Sequence, residues 1–240
     1  MCFTISIHLT REEIEKRFGA KFREETVYQP AWYLSAFNLP YVPVVPDESP
    51  DELQLYQWGL IPYWIKDRAA AESIQMKTFN ARAESIAEKP SFRNSIKNKR
   101  CLVISRGFFE WQQRGTLKIP YYVYLKDGKP FAFAGIYDKW TDPATGEITT
   151  TFTIITTKAN PLMEKIHNTK QRMPVILPAD VEKDWLSKST DQKQILNFLN
   201  PLDESLMQAH TISRLISMPG AEKNIPEIIK PFTYDEAGSL

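Results

Sequence analysis

Residues 101–125 read CLVISRGFFEWQQRGTLKIPYYVYL, and residues 131–137 (FAFAGIY) and 151–156 (TFTIIT) continue the same pattern. β-branched and aromatic side chains are frequent in these segments, which is typical of strands. The pattern predicts five strands, at Cys101–Ser105, Phe108–Gln112, Tyr121–Leu125, Phe131–Tyr137 and Thr151–Thr156. Turn-forming residues at Asp127-Gly128 and Thr141–Gly146 predict hairpins between them. The region therefore indicates a largely antiparallel, barrel-like sheet.

Shorter elements flank this sheet in the sequence. Residues 2–9 alternate and predict a strand, and Thr10-Arg11-Glu12-Glu13 is a capping box that predicts a helix through about Phe18. Tyr41–Pro46 predicts an edge strand, because its prolines cannot donate to a neighbouring strand. Further short helices are predicted at Ala81–Glu88, Ser91–Lys97, Ala179–Leu186 and Gln192–Leu199. We expect one α+β domain over residues 1–240, with a less ordered tail at residues 225–240.

The composition is that of a soluble globular protein, with 42% hydrophobic and 25% charged residues among 240. The net charge of +1 excludes a polycation, so any nucleic-acid contact must come from a local basic surface. Two cysteines make no disulfide framework, and no apolar run is long enough to span a bilayer. We expect a cytoplasmic protein. No zinc-site spacing or Gly-rich phosphate loop occurs, so we expect neither a metal nor a cofactor.

Cysteine directly follows the initiator methionine, in Met1-Cys2-Phe3-Thr4. Removal of Met1 would leave a free α-amine and a thiol on adjacent carbons of Cys2. An α-amine has a pKa of about 7.7–8.0, so a usable fraction is unprotonated near neutral pH. Such an amine can condense with an aldehyde to an imine, and the thiol can then close a thiazolidine ring. The alternative is that Cys2 is a small buried residue that begins a strand.

Two further segments place polar groups where a plain core would not need them. In Thr78–Glu84, Asn80 could orient a carbonyl or a hydroxyl and Arg82 could grip a phosphate, whereas the commoner role of Asn80 would be to cap a helix. In residues 106–111 (RGFFEW), Glu110 lies among aromatic residues. Apolar surroundings would raise its pKa and suit it to proton transfer, and the alternative is an outward-facing carboxylate in a salt bridge.

A basic loop and a tryptophan-rich segment complete the candidates. His167 suits proton exchange near neutral pH, and Lys170 and Arg172 make its loop basic, although a structural histidine is the alternative. Trp58 is expected in the core. Trp64 lies near basic residues, which suits stacking on unpaired bases.

In this order the motifs resemble the SRAP (SOS-response-associated peptidase) family of abasic-site-processing proteins. The resemblance spans nearly the whole chain. It is carried by Met1-Cys2, Phe37–Pro40, Trp58–Pro62, Asn80–Glu84, Gly107–Trp111, Ile166-His167 and Arg172–Leu177. Each motif alone is weak, and the ordered set is specific.

The resemblance implies that Cys2, after loss of Met1, reacts with the ring-opened aldehyde of an abasic site in single-stranded DNA. It implies that Asn80 holds the sugar and the Cys2 terminus, that Glu110 and His167 manage protons, and that Arg82 binds a phosphate. The expected DNA-binding set is completed by Asn38, Pro40, Trp64, Lys170 and Arg172. We expect a monomer that acts in the DNA damage response, and no replication-fork partner can be identified from the sequence.

The chain departs from the family pattern at two places. The family reads Cys-Gly-Arg at the mature terminus, whereas Cys2-Phe3-Thr4 lacks the phosphate-facing arginine and is bulkier beside the nucleophile. The family also has one residue between the histidine and Arg-Met-Pro, whereas four residues, Asn168–Gln171, intervene here.

The leading hypothesis is therefore a sensor that shields an abasic site through a covalent thiazolidine cross-link, with lyase activity as an expected companion. One alternative is a thiol peptidase that uses Cys2, His167 and Asn80, which would also explain self-removal of Met1. Another is a non-covalent reader of single-stranded DNA that uses Trp64 and the basic loop.

Overall fold

The structure, a computed structural model, describes residues 2–235. Within them the strands are β1 (Thr4–Ile7), β2 (Lys21–Phe22), β3 (Ala31–Ser35), β4 (Tyr41–Pro46), β5 (Glu52–Trp58), β6 (Asn80–Arg82), β7 (Arg100–Ser105), β8 (Gly107–Arg114), β9 (Leu117–Leu125), β10 (Phe131–Thr141), β11 (Ile148–Lys158), β12 (Arg172–Pro174), β13 (Ile176–Leu177) and β14 (Met207–Thr211). The helices are α1 (Arg11–Phe18), α2 (Arg68–Gln75), α3 (Ser95–Asn98), α4 (Pro161–Ile166), α5 (Glu182–Leu186) and α6 (Gln192–Asn197).

Two sheets enclose one core. One has the order β14-β9-β8-β1-β3, and the other runs β12-β11-β10-β7-β4-β5-β2, with β13 on β10 and β6 on β11. The chain crosses between the sheets at Arg106, which donates its backbone N–H to the Ser6 carbonyl at 2.9 Å. The ring centroids of Phe108 and Phe133, one from each sheet, lie 5.8 Å apart. This largely antiparallel, barrel-like core with short helices confirms the predicted α+β class.

The five strands predicted from residues 101–156 are confirmed as β7 to β11. The predicted hairpin at Thr141–Gly146 is also confirmed, because β10 and β11 pair from Gly135↔Ile154 out to Thr141↔Ile148. The predicted hairpin at Asp127-Gly128 is wrong. β9 pairs with β8 and β14, whereas β10 pairs with β7, β11 and β13, so this turn joins the two sheets.

The predicted edge strand Tyr41–Pro46 is a strand, but it is not at an edge. β4 lies between β5 and β7 in the larger sheet. Its pairing with β7 covers only Val44 to Pro46. Pro43 lies outside that pairing, so its missing N–H leaves the β7 pairing intact.

The predicted helix after Thr10 is confirmed as α1, and the helices predicted at Ser91–Lys97, Ala179–Leu186 and Gln192–Leu199 are confirmed in part as the shorter α3, α5 and α6. Thr10 and Glu13 form the reciprocal capping box that opens α1, at 2.7 Å and 3.2 Å. The helix predicted at Ala81–Glu88 is wrong. Instead Asn80–Arg82 pairs in parallel with Ile154–Thr156 of β11, and a 3-10 turn follows at Ala83–Ser85.

The final segment packs on the smaller sheet over the residues that the structure describes. A less ordered tail was predicted for residues 225–240. Pro226–Ile229 is a 3-10 turn whose Ile228 is fully buried, and the Tyr234 hydroxyl donates to the Ile212 carbonyl at 2.7 Å. Residues 236–240 of this tail lie outside the described residues. None of the helices within residues 2–235 has the length and apolar character needed to cross a bilayer.

Candidate active site

The amino-terminal strand runs beside the strand that carries Glu110. β1 and β8 are antiparallel, with Ile5 opposite Phe108 and Ser6 opposite Gly107. Extended by two residues, the same register places Phe3 opposite Glu110. Phe3 and Glu110 are therefore neighbours because of strand pairing, although 107 positions separate them in sequence.

Cys2 is fully buried at the start of this strand, and its thiol lies 3.9 Å from the Thr4 carbonyl. Burial, and then the negative charge of Glu110, raise the pKa of the Cys2 thiol well above its ordinary value. The thiol is therefore protonated at neutral pH. A mechanism that begins with a free thiolate is disfavoured at this position.

Asn80 is tied to Cys2 and does not cap a helix. Its side-chain Nδ2 donates to the Cys2 carbonyl at 2.9 Å. The parallel pairing of β6 with β11 holds Asn80 in place opposite Ile154. The buried Asn80 Oδ1 has no hydrogen-bond partner among residues 2–235. A buried acceptor left in this state is costly unless a further donor occupies the site.

Glu110 faces inward from β8 and is only 4% exposed. Burial raises the pKa of its carboxyl to about 7, against the opposing charge of the amino terminus. The group is then divided between its acid and base forms near neutral pH, which is the condition for efficient proton transfer. The outward-facing, salt-bridged alternative is wrong.

His167 lies at the end of α4, next to Glu110. Its Nδ1 donates to the Arg172 carbonyl at 2.8 Å, and a carbonyl can only accept, so in the neutral ring Nε2 carries the lone pair. The distance from His167 Nδ1 to Glu110 Oε1 is 3.9 Å. Burial, and then the charge of the amino terminus, lower the pKa of His167. A neutral imidazole therefore stands beside a carboxyl that titrates near pH 7.

The four residues between His167 and Arg172 form a tight turn. Gln171 adopts φ 48° and returns its backbone N–H to the His167 carbonyl at 2.9 Å. The Asn168 side chain makes two hydrogen bonds with the backbone of Gln113 on β8, accepting at 2.9 Å and donating at 2.8 Å. The longer loop is thus fastened to the strand that carries Glu110. Nothing in the local sequence marks Asn168, because its role depends on a partner, Gln113, that is 55 positions away.

An open cleft of about 610 Å³ adjoins these groups. Its lining includes Phe3, Glu110, Trp111, Lys118, His167 and Lys170. Glu110 and His167 share this surface with two lysines and two aromatic rings. An anionic ligand with flat apolar groups fits such a lining. Lys118 was missed because nothing in its local sequence separates it from other surface lysines.

Some of the predicted DNA-binding residues lie at or near the cleft, and others lie elsewhere. Lys170 lines the cleft, and Arg82 is exposed two positions after Asn80. Asn38 is exposed and Pro40 is partly buried, in a segment joined to the amino terminus by the Ala36 N–H, which donates to the Phe3 carbonyl at 2.8 Å.

Arg172 and Trp64 are not brought into the cleft. Arg172 makes a two-pronged ion pair with Glu84, at 2.5 Å and 3.0 Å, and also donates to the Thr156 carbonyl at 2.7 Å. Arg172 therefore joins β12 to Glu84 and to β11, and its guanidinium group does not face the cleft. Trp64 is 43% exposed, but it is absent from the cleft lining, and the neighbouring Tyr63 N–H donates to Asp138 of β10. Trp58 is in the core as predicted, and its ring N–H donates to the Phe79 carbonyl at 2.9 Å.

Comparison with known proteins gives one consistent family. The sequence profile of the SOS response associated peptidase (SRAP) family matches residues 1–219. A Bacillus subtilis protein named abasic site processing protein YoqW is 40% identical over 233 residues, which cover 96% of this chain and 99% of that protein. Abasic site processing protein HMCES of Gallus gallus is 32% identical over 207 residues, which cover 77% of this chain and 59% of that protein.

Solved structures agree with the sequence comparison. A protein from Bacteroides thetaiotaomicron has a TM-score of 0.91 at 40% identity, and the match covers 97% of this chain and 100% of that one. A protein from Bordetella bronchiseptica has a TM-score of 0.76 at 25% identity, covering 88% of this chain.

Proposed function

The chain belongs to the SOS response associated peptidase family, and we propose that it senses abasic sites in single-stranded DNA and bonds to them covalently through Cys2. The observation that carries this proposal is the proximity of four groups, of which Glu110 and His167 line the cleft while Cys2 and Asn80 lie behind Phe3. Cys2 is held by Asn80 through its carbonyl and is influenced by the charge of Glu110, and His167 lies beside Glu110. Relatives named abasic site processing proteins support the choice of substrate.

The first step needs the amine that removal of Met1 would free. Its lone pair attacks the C1′ aldehyde carbon of the ring-opened sugar, and the carbonyl oxygen takes up a proton to give a carbinolamine. Loss of one water then gives the imine. The Cys2 sulfur adds to the imine carbon, and the thiol proton passes to the nitrogen, which closes the thiazolidine ring. The net change is the loss of one water.

The raised thiol pKa sets the order of these steps. Because the Cys2 thiol is protonated at neutral pH, the amine reacts first, and the sulfur reacts only when the electrophilic imine is adjacent. The same feature disfavours the thiol peptidase, which needs a thiolate at the outset. Self-removal of Met1 thus has weaker support than removal by a separate aminopeptidase.

Glu110 and His167 divide the proton transfers. In the protonated form, which is well populated near pH 7, Glu110 can donate to the departing hydroxyl of the carbinolamine. The lone pair on His167 Nε2 can take the proton released by the amine. The free Oδ1 of Asn80 can accept a hydrogen bond from the Cys2 amine once that amine exists.

The cationic residues around the cleft position the DNA strand. Lys170 and Lys118 line the cleft, and Arg82 is exposed beside Asn80, so a phosphate backbone can pass over them. A lesion in single-stranded DNA is favoured, because a duplex would first have to be unstacked at a cost of a few kcal/mol.

The imine is also the intermediate from which a lyase would break the DNA strand. Ring closure by Cys2 converts this imine to the thiazolidine before the strand breaks. All these groups come from one chain, so we propose a monomer that works on chromosomal DNA in the cytoplasm.

The proposal is tested by denaturing gel electrophoresis after mixing the protein with oligonucleotides. We expect a slow-migrating covalent product with an abasic single strand, a much slower reaction with an abasic duplex, and no product with an undamaged strand. A chain with an amino-terminal extension that is not removed should give no product. Equal labelling by the extended chain would overturn the proposal, because it would show that the α-amine is not used.

Replacement of Asn168 by alanine is expected to slow cross-linking roughly tenfold, because the loop carrying His167 loses its two bonds to β8 and the reacting groups lose alignment. The matched control is Asn200→Ala, an exposed asparagine whose side chain donates to the nearby Asn197 carbonyl. Rates of product formation across pH 5–9 report the effect. An unchanged pH–rate profile for Asn168→Ala would show that the clamp has no role in the chemistry.

A further inference from the structure

A cluster of three phenylalanine rings lies beside the amino terminus. The ring centroids of Phe3 and Phe37 are 5.3 Å apart, and Phe79 meets Phe37 edge-on at 5.4 Å and Phe3 edge-on at 6.2 Å. Phe79 is 2% exposed, whereas Phe37 is 57% exposed. A surface ring is therefore held rigidly on a buried aromatic base. Rigid exposed rings suit recognition, because little side-chain freedom is lost when a ligand binds.

This aromatic cluster is continuous with the reaction cleft. Phe3 lines the same cleft as Glu110 and His167. The Ala36 N–H donates to the Phe3 carbonyl, so the turn that carries Phe37 is fixed to the residue that follows the nucleophile. Any DNA strand whose lesion reaches Cys2 must place a neighbouring nucleotide near these rings.

No cation occupies the position next to Phe3. Thr4 is 4% exposed and lies within β1 opposite Ser35, so its side chain is not available to a phosphate. The lysines of the cleft, Lys118 and Lys170, lie with Trp111 and His167 in the rest of the lining. The part of this surface formed by Phe3 and Phe37 is thus apolar and presents aromatic rings, which suit a nucleobase and not a phosphate.

We propose that Phe3 and Phe37 form a stacking surface for the unpaired base on one side of the abasic site. This proposal rests on the proposed function, since the lesion at Cys2 determines which base is its neighbour. Stacking of bases on aromatic side chains tolerates every base but follows the size of the π-face. The chain should therefore favour a purine over a pyrimidine at that one flanking position.

The test measures binding without chemistry. Oligonucleotides carry a tetrahydrofuran abasic analogue, which has no aldehyde, and either a purine, a pyrimidine or a second tetrahydrofuran on each side in turn. Fluorescence anisotropy gives the Kd. For the wild-type protein, deletion of the stacked base should weaken binding roughly 5- to 150-fold. Deletion of the base on the other side should weaken it much less.

Phe37→Ala should bind the oligonucleotide that carries both flanking bases as weakly as the wild-type protein binds the oligonucleotide that lacks the stacked base. Deletion of the stacked base should then leave the Kd of Phe37→Ala unchanged. Phe37→Trp should restore the dependence. Tyr41→Ala is the matched control, because Tyr41 is 58% exposed on the adjacent strand β4, and it should behave as wild type. Thermal unfolding of each variant confirms that it is folded.

Two results would overturn the stacking proposal: a Phe37→Ala protein that keeps the wild-type dependence on the flanking base, or a Tyr41→Ala protein that loses as much affinity. These outcomes are separate from failure of the proposed function. Absence of covalent product on a true abasic strand would reject the reaction, whereas the flanking-base dependence is read on an unreactive analogue.

Discussion

Replacing Cys2 with serine should reduce the stable cross-link to background while leaving imine formation in place. Serine keeps the α-amine and nearly the same volume, so both the amine step and the buried packing survive. Its hydroxyl is a far weaker nucleophile than a thiol, so the ring does not close and the imine hydrolyses. Addition of borohydride during the reaction should rescue a covalent product, because reduction of the imine makes it permanent.

The control for this substitution is the other cysteine. Cys101 is also fully buried, on β7 in the core, and the reaction assigns it no part. Cys101→Ser should form the wild-type product without borohydride. If Cys2→Ser gave as much stable product as the wild type, ring closure by sulfur would be rejected, even though an amine mechanism would survive.

Replacing Glu110 with glutamine should slow cross-linking by about 10²- to 10⁴-fold, the usual contribution of a positioned proton donor or acceptor. In the wild type the rate should rise with pH as the amine loses its proton, and fall above about pH 7 as Glu110 loses the proton it donates. Glutamine cannot titrate, so the falling limb should disappear. Single-turnover rates between pH 5 and 9 measure both effects, with the exposed Glu164→Gln as control.

The same substitution should change stability in a pH-dependent way. The folded-state pKa of Glu110, about 7, lies above the ordinary value of 4.5. Its protonated form is favoured by folding, so its contribution to stability is full below pH 4.5 and is lost as the pH rises through 7. Glu110→Gln should therefore raise the melting temperature relative to wild type more at pH 8 than at pH 5. An equal difference at both pH values would show that the carboxyl is not perturbed.

Local signals predicted the elements whose stabilising contacts are themselves local. The capping box of Thr10 and Glu13 is complete within four residues, and α1 forms where the sequence places it. The β-branched and aromatic residues of 101–156 likewise predicted β7 to β11, because such side chains pack well on a pleated sheet. The position of a strand within its sheet was harder to predict from the sequence. Nothing near Tyr41–Pro46 indicates that β7 will pair with its second half.

Residue types predicted some members of the candidate site but not others. Asn80 and Glu110 were singled out, but the helix expected after Asn80 is replaced by a strand, because pairing with β11 outweighs the local helical pattern. The sequence places Arg172 in the basic, DNA-binding set, whereas in the fold it pairs with Glu84, 88 positions away. Lys118 and Asn168 carry no local signal, since their roles depend on which strand lies opposite.

The proposed reaction joins the sugar to a vicinal amine and thiol at the processed terminus. Intact-mass spectrometry of the protein after reaction with an abasic single-stranded oligonucleotide reports on both groups at once. We expect a species equal to the chain without Met1 plus the oligonucleotide, less one molecule of water, that persists without reduction. A product that retains Met1, or the absence of any adduct from protein confirmed to lack Met1, would contradict the proposed reaction.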